Sequence, residues 1–311
     1  MQILAVIVRH KTALQDSQTI SSLIQAFSQS PELLSSIRIL LWDNSPEALD
    51  HPELPFPFIY KHASTNVGLS GAFNHAAAMA QMDNIPWLLL FDQDTTVPAG
   101  FLSNMLRYAA ELHSRSEIAA VTPTVYVGDF IASPLRMLFS RYRAYPEGEI
   151  GIAEGEAAAI NSGTLLRVND LLEIGGYSDA FWLDFSDYYV FHQLFLRKKL
   201  IWRAADIRLQ HSMTVMDYDN LMSTWRYSNV IHAEGAFNDL FKGKLENAVQ
   251  TLRLLARVVR QRRRFKNAEF SRITWRYFLA RLFSSRQTRL QRWESSVRAR
   301  VDSIGVHGTG Q

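Results

Sequence analysis

Three uninterrupted apolar runs mark the first third of the chain: ILAVIV (Ile3–Val8), the body of IRILLWDNS (Ile37–Ser45) and that of WLLLFDQD (Trp87–Asp94). None alternates with polar residues, which is the pattern of strands covered on both faces. Between and after them, helical spacing around TISSLIQAF, in the alanine-rich GLSGAFNHAAAMAQM (Gly68–Met82) and in FLSNMLRYAAELH predicts helices, while FPFIYKH and IAAVTPTVYV read as further strands. Strands alternating with helices predict an α/β fold, doubly wound around a mostly parallel sheet. In such sheets ligands sit beyond the carboxyl ends of the strands. Three strand ends therefore matter: Arg9-His10-Lys11, Asp43-Asn44-Ser45 and Asp92-Gln93-Asp94. All three are expected along one edge.

From about residue 130 to 155 the pattern breaks into turn residues with no steady period, which predicts a loop or flap. AAAINSGTLLRV then reads as strand and turn, LLEIGGYSDAFWLDFSDYYVFHQLFLRKKL as helix, loop and helix, and IWRAADIRLQHS as a strand ending in His211. Beyond 220 the character changes. Leu245, Val249, Leu252, Leu255 and Val259 form one helical stripe with arginines across from it. The block QRRRFK follows, then SRITWRYFLARLF, a mixture of aromatics and spaced arginines suited to a membrane interface. The end, VDSIGVHGTGQ, is expected to fray. Residues 1–218 are read as a catalytic domain and 219–311 as a helical, basic extension.

Composition sharpens this division. The net charge of +3 conceals 17 basic against 4 acidic residues from 241 onward, and 16 against 26 before it. An acidic body argues against a nucleic-acid-binding one, and the basic tail suits anionic lipid. RNA is disfavoured there because the aromatics cluster in one segment instead of forming a stacking platform. The absence of cysteine removes disulfides, thiolate metal sites and cysteine nucleophiles. The first apolar stretch is short and lacks a preceding basic region, so it reads as a strand and not a signal peptide. No stretch reaches the length of a membrane span.

Two carboxylates one residue apart, Asp92 and Asp94, repel each other at a strand end. A divalent cation such as Mg²⁺ or Mn²⁺ removes that cost and is readily shared with a substrate diphosphate. A turn bearing two solvated aspartates accounts for the motif equally well. Asp43 stands where it could bind a base or ribose, or simply close a turn. TNVGLSGAFNHA (Thr65–Ala76) could bring backbone N–H groups to a phosphate, but it is neither G-x-G-x-x-G nor a P-loop, which excludes nicotinamide and ATP readings. Asp184 and Asp187, beside four aromatics, offer a general base or a pair of helix-start caps. His211 is a candidate third metal ligand.

The order of these features is more specific than any one of them. NVGLSGAFNHA, LLLFDQDT, INSGTLL, IGGYSDAFWLDFSD and LQHS together resemble the family 2 glycosyltransferases of GT-A fold, most closely the bacterial rhamnosyltransferase branch. The resemblance implies an inverting, metal-dependent transfer of L-rhamnose from dTDP-rhamnose to a lipid-linked saccharide of a cell-surface polysaccharide. By position, Asp94, Asp92 and His211 match the residues that bind Mg²⁺ or Mn²⁺ and the diphosphate, and Asp187 matches the catalytic base. Asp43, Arg9, Asn66, Gly68, Asn74, Asp92 and Gln93 fall in the nucleotide-sugar set. Ser162, Gly163, Thr164, Trp182 and Asp184 fall on the acceptor side. Two departures stand out. The first strand ends in Arg9-His10-Lys11 where the family carries a Thr-Tyr-Asn-like sequence, and Tyr189 and Gln193 replace a glutamate and an arginine after Asp187. They leave open a UDP-galactofuranose or UDP-hexose donor, or a non-catalytic assembly protein of the same fold. The implied location is peripheral, on the cytoplasmic face of the plasma membrane, with Trp275, Phe278 and Leu282 as apolar anchors. A homo-oligomer is left open.

Overall fold

The computed structural model describes residues 1–138, 141–211 and 222–308. These residues fall chiefly into two compact units, 1–138 with 142–211, and 222–306. The expected boundary at 218 lies outside the described residues.

The first unit is α/β. Its strands are β1 (Ile3–Arg9), β2 (Ile37–Asp43), β3 (Ile59–His62), β4 (Trp87–Asp92), the two-residue β5 (Thr95–Thr96), β6 (Ile118–Val127), β7 (Phe130–Ser133), β8 (Leu135–Leu138), β9 (Arg141–Ala144), β10 (Gly151–Ile152), β11 (Ala157–Ala158), β12 (Leu165–Arg167) and β13 (Leu200–His211). Its helices are α1 (Gln18–Gln29), α2 (Gly68–Met82), α3 (Phe101–Glu111), α4 (Val168–Glu173) and α5 (Ser186–Leu196). The main sheet runs β10-β13-β6-β12-β4-β1-β2-β3. β4, β1, β2 and β3 are mutually parallel, β13 is parallel to β6, and β12 runs antiparallel between β4 and β6.

The apolar runs are explained by two-sided burial. Side chains alternate along a strand. In β1, Leu4, Val6 and Val8 therefore enter a core that also holds the small residues Ala72, Ala76, Ala77 and Ala80 of α2 and Val190 and Leu194 of α5. Ile3, Ala5 and Ile7 enter a second core, with Ile20, Leu23 and Phe27 of α1 and Phe101, Leu102 and Met105 of α3. β4 divides in the same way: Leu88 and Leu90 on one side, Trp87, Leu89 and Phe91 on the other.

The segment 130–155 is not a plain loop: it holds β7, β8, β9 and β10, and β8 is the middle strand of a small sheet β11-β8-β9. These strands span two to four residues and are only partly buried, so no period develops in the sequence.

The second unit is helical: α6 (Thr224–Phe241), α7 (Lys244–Arg264), α8 (Glu269–Leu282) and α9 (Arg286–Gly308). The stretch from Val301, expected to fray, is helical to Gly308. Its apolar core is small: Met222, Tyr227, Ile231, Leu254, Phe270 and Phe278. Buried polar pairs complement it. Asp239 of α6 accepts hydrogen bonds from Arg281 of α8 at 2.9 Å and from Arg289 of α9 at 2.8 Å. Thr274 donates to Gln261 at 2.7 Å. Phe278 is a core residue, not an exposed anchor. α7 buries Asn247, Leu254, Val258 and Gln261, so the stripe of Leu245, Leu252, Leu255 and Val259 faces outward. No described helix is long and apolar enough to cross a membrane.

Candidate functional site

Because β1 pairs in parallel with both β2 and β4, Arg9 lies opposite Asp43, and Val8 opposite Asp92. The three strand ends therefore meet at one edge, as their spacing predicts.

β5 then brings in the end of the last strand. Thr95 pairs with His211 across the antiparallel β5–β13 contact, which carries the imidazole to the Asp92-Gln93-Asp94 turn. His211 Nδ1 is 3.2 Å from Thr95 Oγ1 and 3.8 Å from Asp94 Oδ1. One ligand atom each from Asp92, Asp94 and His211 lie within 4.8 Å of one another. Asp92 is held by Ser162: the hydroxyl donates to Oδ2 at 2.8 Å and accepts from the Asp92 amide at 3.0 Å. Asp92 Oδ1 is buried with no hydrogen-bond partner. Two carboxylates, one of them with an orphaned buried oxygen, and an imidazole form a donor set that fits a hard divalent cation.

Ser162 owes its place to its neighbours. Gly163 has φ +79°, its N–H donates to Leu90 O at 2.7 Å, and Leu90 N–H donates to Thr164 O at 3.0 Å. A Cβ at Gly163 would stand 2.2 Å from Leu209 Cδ1. Glycine is thus the residue that permits the turn.

Asp187 lies in the first turn of α5, two residues after Phe185, a bulky residue at φ +64°. Non-glycine residues at such angles are strained. The Tyr188 amide donates to Asp187 Oδ1 at 2.8 Å. Burial pushes the carboxyl up to about 7, and the negative charges of Asp92 and Asp184 add to that. The chain has thus placed a base that titrates near neutrality beside the acidic cluster. A residue that sequence reasoning missed is Tyr142, which comes from the segment read as a loop or flap. It meets Tyr188 edge-on, 4.7 Å between ring centres, and its phenol is raised by burial and by charges that include Asp187. The alternation Arg-Tyr-Arg at 141–143 was the only available signal.

Other expected site residues are engaged within the protein. Asp43 is 0% exposed. Its carboxylate accepts from Arg9, from the Tyr60 hydroxyl at 2.8 Å and from the Ser45 amide at 2.9 Å. Burial would raise its pKa, but Ser45, Tyr60 and the Arg9 charge together hold it below the ordinary carboxylate value. Arg9 also donates to Ser45 Oγ at 3.0 Å and to the Thr12 carbonyl. In this geometry the two groups neutralise each other, and a base at Asp43 or a diphosphate at Arg9 would have to compete with that pair. Gln93 Oε1 accepts from the His10 amide at 2.8 Å, linking this pair to the acidic turn.

The start of α2 is likewise closed. Asn66 Oδ1 caps Gly68 N–H at 2.9 Å, and Ser70 N–H donates to Trp182 O at 3.1 Å. A Cβ on Gly68 would meet that carbonyl at 2.3 Å. Asn74 exchanges two hydrogen bonds with the Tyr177 backbone, at 2.7 and 2.9 Å. Asn66, Gly68 and Asn74, expected in the nucleotide-sugar set, thus seat the chain from Tyr177 to Trp182 and fix the loop that leads to Asp184 and Asp187.

The family model of glycosyl transferase family 2 matches residues 19–175. No curated protein matches the sequence. A crystal structure of GalNAc-T7 with UDP, GalNAc and Mn²⁺ aligns at 12% identity and TM-score 0.52, over 76% of this chain and 50% of that one. S. aureus TarS aligns at 12% identity and TM-score 0.47, over 81% and 42%, and TarS 1-349 at 11% and 0.49, over 96% and 92%. The chain thus spans half or less of the first two. The likeness to GalNAc-T7 is one of fold, a GT-A-like sheet.

Proposed function

The chain belongs to glycosyl transferase family 2, and from that premise we propose that it moves a sugar from a nucleotide donor to an acceptor hydroxyl, inverting the anomeric carbon. The donor in this reading is dTDP-rhamnose and the acceptor a lipid-linked saccharide, on the motif set LLLFDQDT, INSGTLL and FWLDFSD. The observation that carries it is the meeting of Asp92, Asp94 and His211 beside the raised carboxyl of Asp187.

Asp187 acts as the base. Its Oδ1 is held by the Tyr188 amide, so Oδ2 takes the acceptor proton as the hydroxyl attacks. Ser162 fixes the rotamer of Asp92. Asp92, Asp94 and His211 would hold Mg²⁺ or Mn²⁺, which supplies positive charge against the leaving diphosphate. The Mn²⁺ of the GalNAc-T7 complex supports that assignment. Trp182 and Asp184, on the turn seated against α2, line the acceptor approach, and the buried Ser162-Gly163-Thr164 turn supports it from beneath by holding Asp92.

Purified protein with Mn²⁺, dTDP-rhamnose and a lipid-linked acceptor should release dTDP. Asp187→Asn should lose this release and keep donor binding; full activity in that variant would remove Asp187 from the role. A second donor class, UDP-galactofuranose or a UDP-hexose, stays in view because the first strand ends in Arg9-His10-Lys11. Thermal shift with a nucleotide-sugar panel separates the two, because the bound donor raises the melting temperature.

A further inference from the structure

α7 buries two polar residues, Asn247 and Gln261, and exposes a stripe of apolar ones. Asn247, Leu254, Val258 and Gln261 face the core of the second unit, while Leu245, Leu252, Val259 and Leu255 are 79, 63, 50 and 36% exposed. At 3.6 residues per turn these four, with Ala248 and Ala256 between them, make one stripe about 21 Å long. Exposed Arg260 and Arg262 border it, and exposed Arg263 closes its end. Arg281 bonds to Asn247 at 3.1 Å and to Thr251 at 3.3 Å, so the end of α8 lies at the same end of α7 as Leu245. That end carries two more exposed apolar side chains, Leu282 and Phe283.

Charge decides what covers this face. Glu246 is the only acid on α7, and its carboxylate is turned back to cap the Gly243 amide at 2.9 Å. A second copy of α7 laid on the stripe would set arginine borders against each other with no acid to pair them. An anionic bilayer meets both demands, taking the apolar stripe below its headgroups and the guanidinium groups among its phosphates.

We propose that the outer face of α7, from Leu245 to Arg263, is a docking surface for anionic lipid, with Leu282 and Phe283 as a second point of insertion. The surface belongs to the helical unit and does not depend on which donor or acceptor the first unit takes.

Sedimentation of the full chain with vesicles tests this, using phosphatidylcholine alone and phosphatidylcholine containing roughly one-third phosphatidylglycerol. The wild-type protein should pellet with the anionic vesicles, more weakly in high salt, and stay in solution with neutral ones. Leu245→Ser with Leu252→Ser should lower partitioning at least about tenfold, as expected when two leucines no longer insert. Arg260→Gln with Arg262→Gln and Arg263→Gln should lower it and flatten the salt dependence. All five positions are exposed, so melting curves should stay close to wild type. A wild-type chain that ignores anionic vesicles, or a serine variant that binds them unchanged, overturns the proposal. So does a wild-type dimer that the serine variant dissociates without any vesicle binding, which would assign the stripe to a second copy. Metal and nucleotide-sugar binding by the same preparations reports on the first unit separately, so failure of one reading is not mistaken for failure of the other.

Discussion

Asp187 faces two opposed demands. To accept a proton it must be ionised, yet burial and the charges of Asp92 and Asp184 hold its pKa up to about 7. In metal-free protein its carboxyl is neutral when folded and ionised when unfolded across the interval between its ordinary value of 3.8 and about 7. Its contribution to stability is therefore complete below the lower value and lost as pH rises through the upper one. Asp187→Asn should melt higher than wild type by roughly 2–4 kcal/mol at about pH 8, with the gap closing toward about pH 4. A pH series of thermal melts checks this. The wild-type kcat/KM should rise with pH and level above about 7, while the variant loses about 10²–10⁴-fold. Gly163 has a different constraint. Gly163→Ala places a methyl group against Leu209 at a positive φ, so about 2 kcal/mol of stability should go, with a fall in kcat as Ser162 shifts. Urea denaturation and steady-state rates measure both.

Among the elements, the four C-terminal helices show how a small core is supplemented. One carboxylate, Asp239, joins α6 to α8 and α9, and its partner Arg281 reaches Asn247 of α7. Asp239→Ala leaves a buried guanidinium without its counter-charge and should cost about 3–5 kcal/mol, whereas Asp239→Leu with Arg281→Met should cost less than Asp239→Ala alone. Chemical denaturation of the two variants separates these outcomes. The same helices mark where reading a sequence reaches its limit. The stripe on α7 was plain from its spacing, but periodicity does not say which face packs. Asn247 and Gln261 are buried because Asn238, Tyr227 and Thr274 satisfy them, through partners that no local pattern reveals. β1 and β4 were legible because both of their faces are covered. β8 and β9 were not, since they belong with β11 to a small separate sheet whose strands span two to four residues. In the site, the two aspartates of the turn and His211 were readable as motifs. The closure of Asp43 by Arg9 was not, because that contact crosses between strands 34 residues apart.

Across the whole molecule, the acidic body and basic tail fall in separate units, so changes of salt and of metal should act separately. Mn²⁺ should raise the melting temperature of the wild-type chain, by the equivalent of about 2.7 kcal/mol at a hundredfold excess over its Kd, and EDTA should reverse this. His211→Ala should lose most of the increment, and scanning calorimetry reads both. The β5–β13 contact carries a consequence for the order of events during synthesis. Thr95 and His211 are 116 residues apart, and β13 is the last strand of the sheet. An emerging chain therefore holds both aspartates long before their histidine exists. A cation that needs all three ligands binds only after β13 has been laid against β6 and β5, too late to guide collapse. It should slow unfolding and leave the refolding rate unchanged, so that metal affinity reports that the first unit has been completed and correctly threaded.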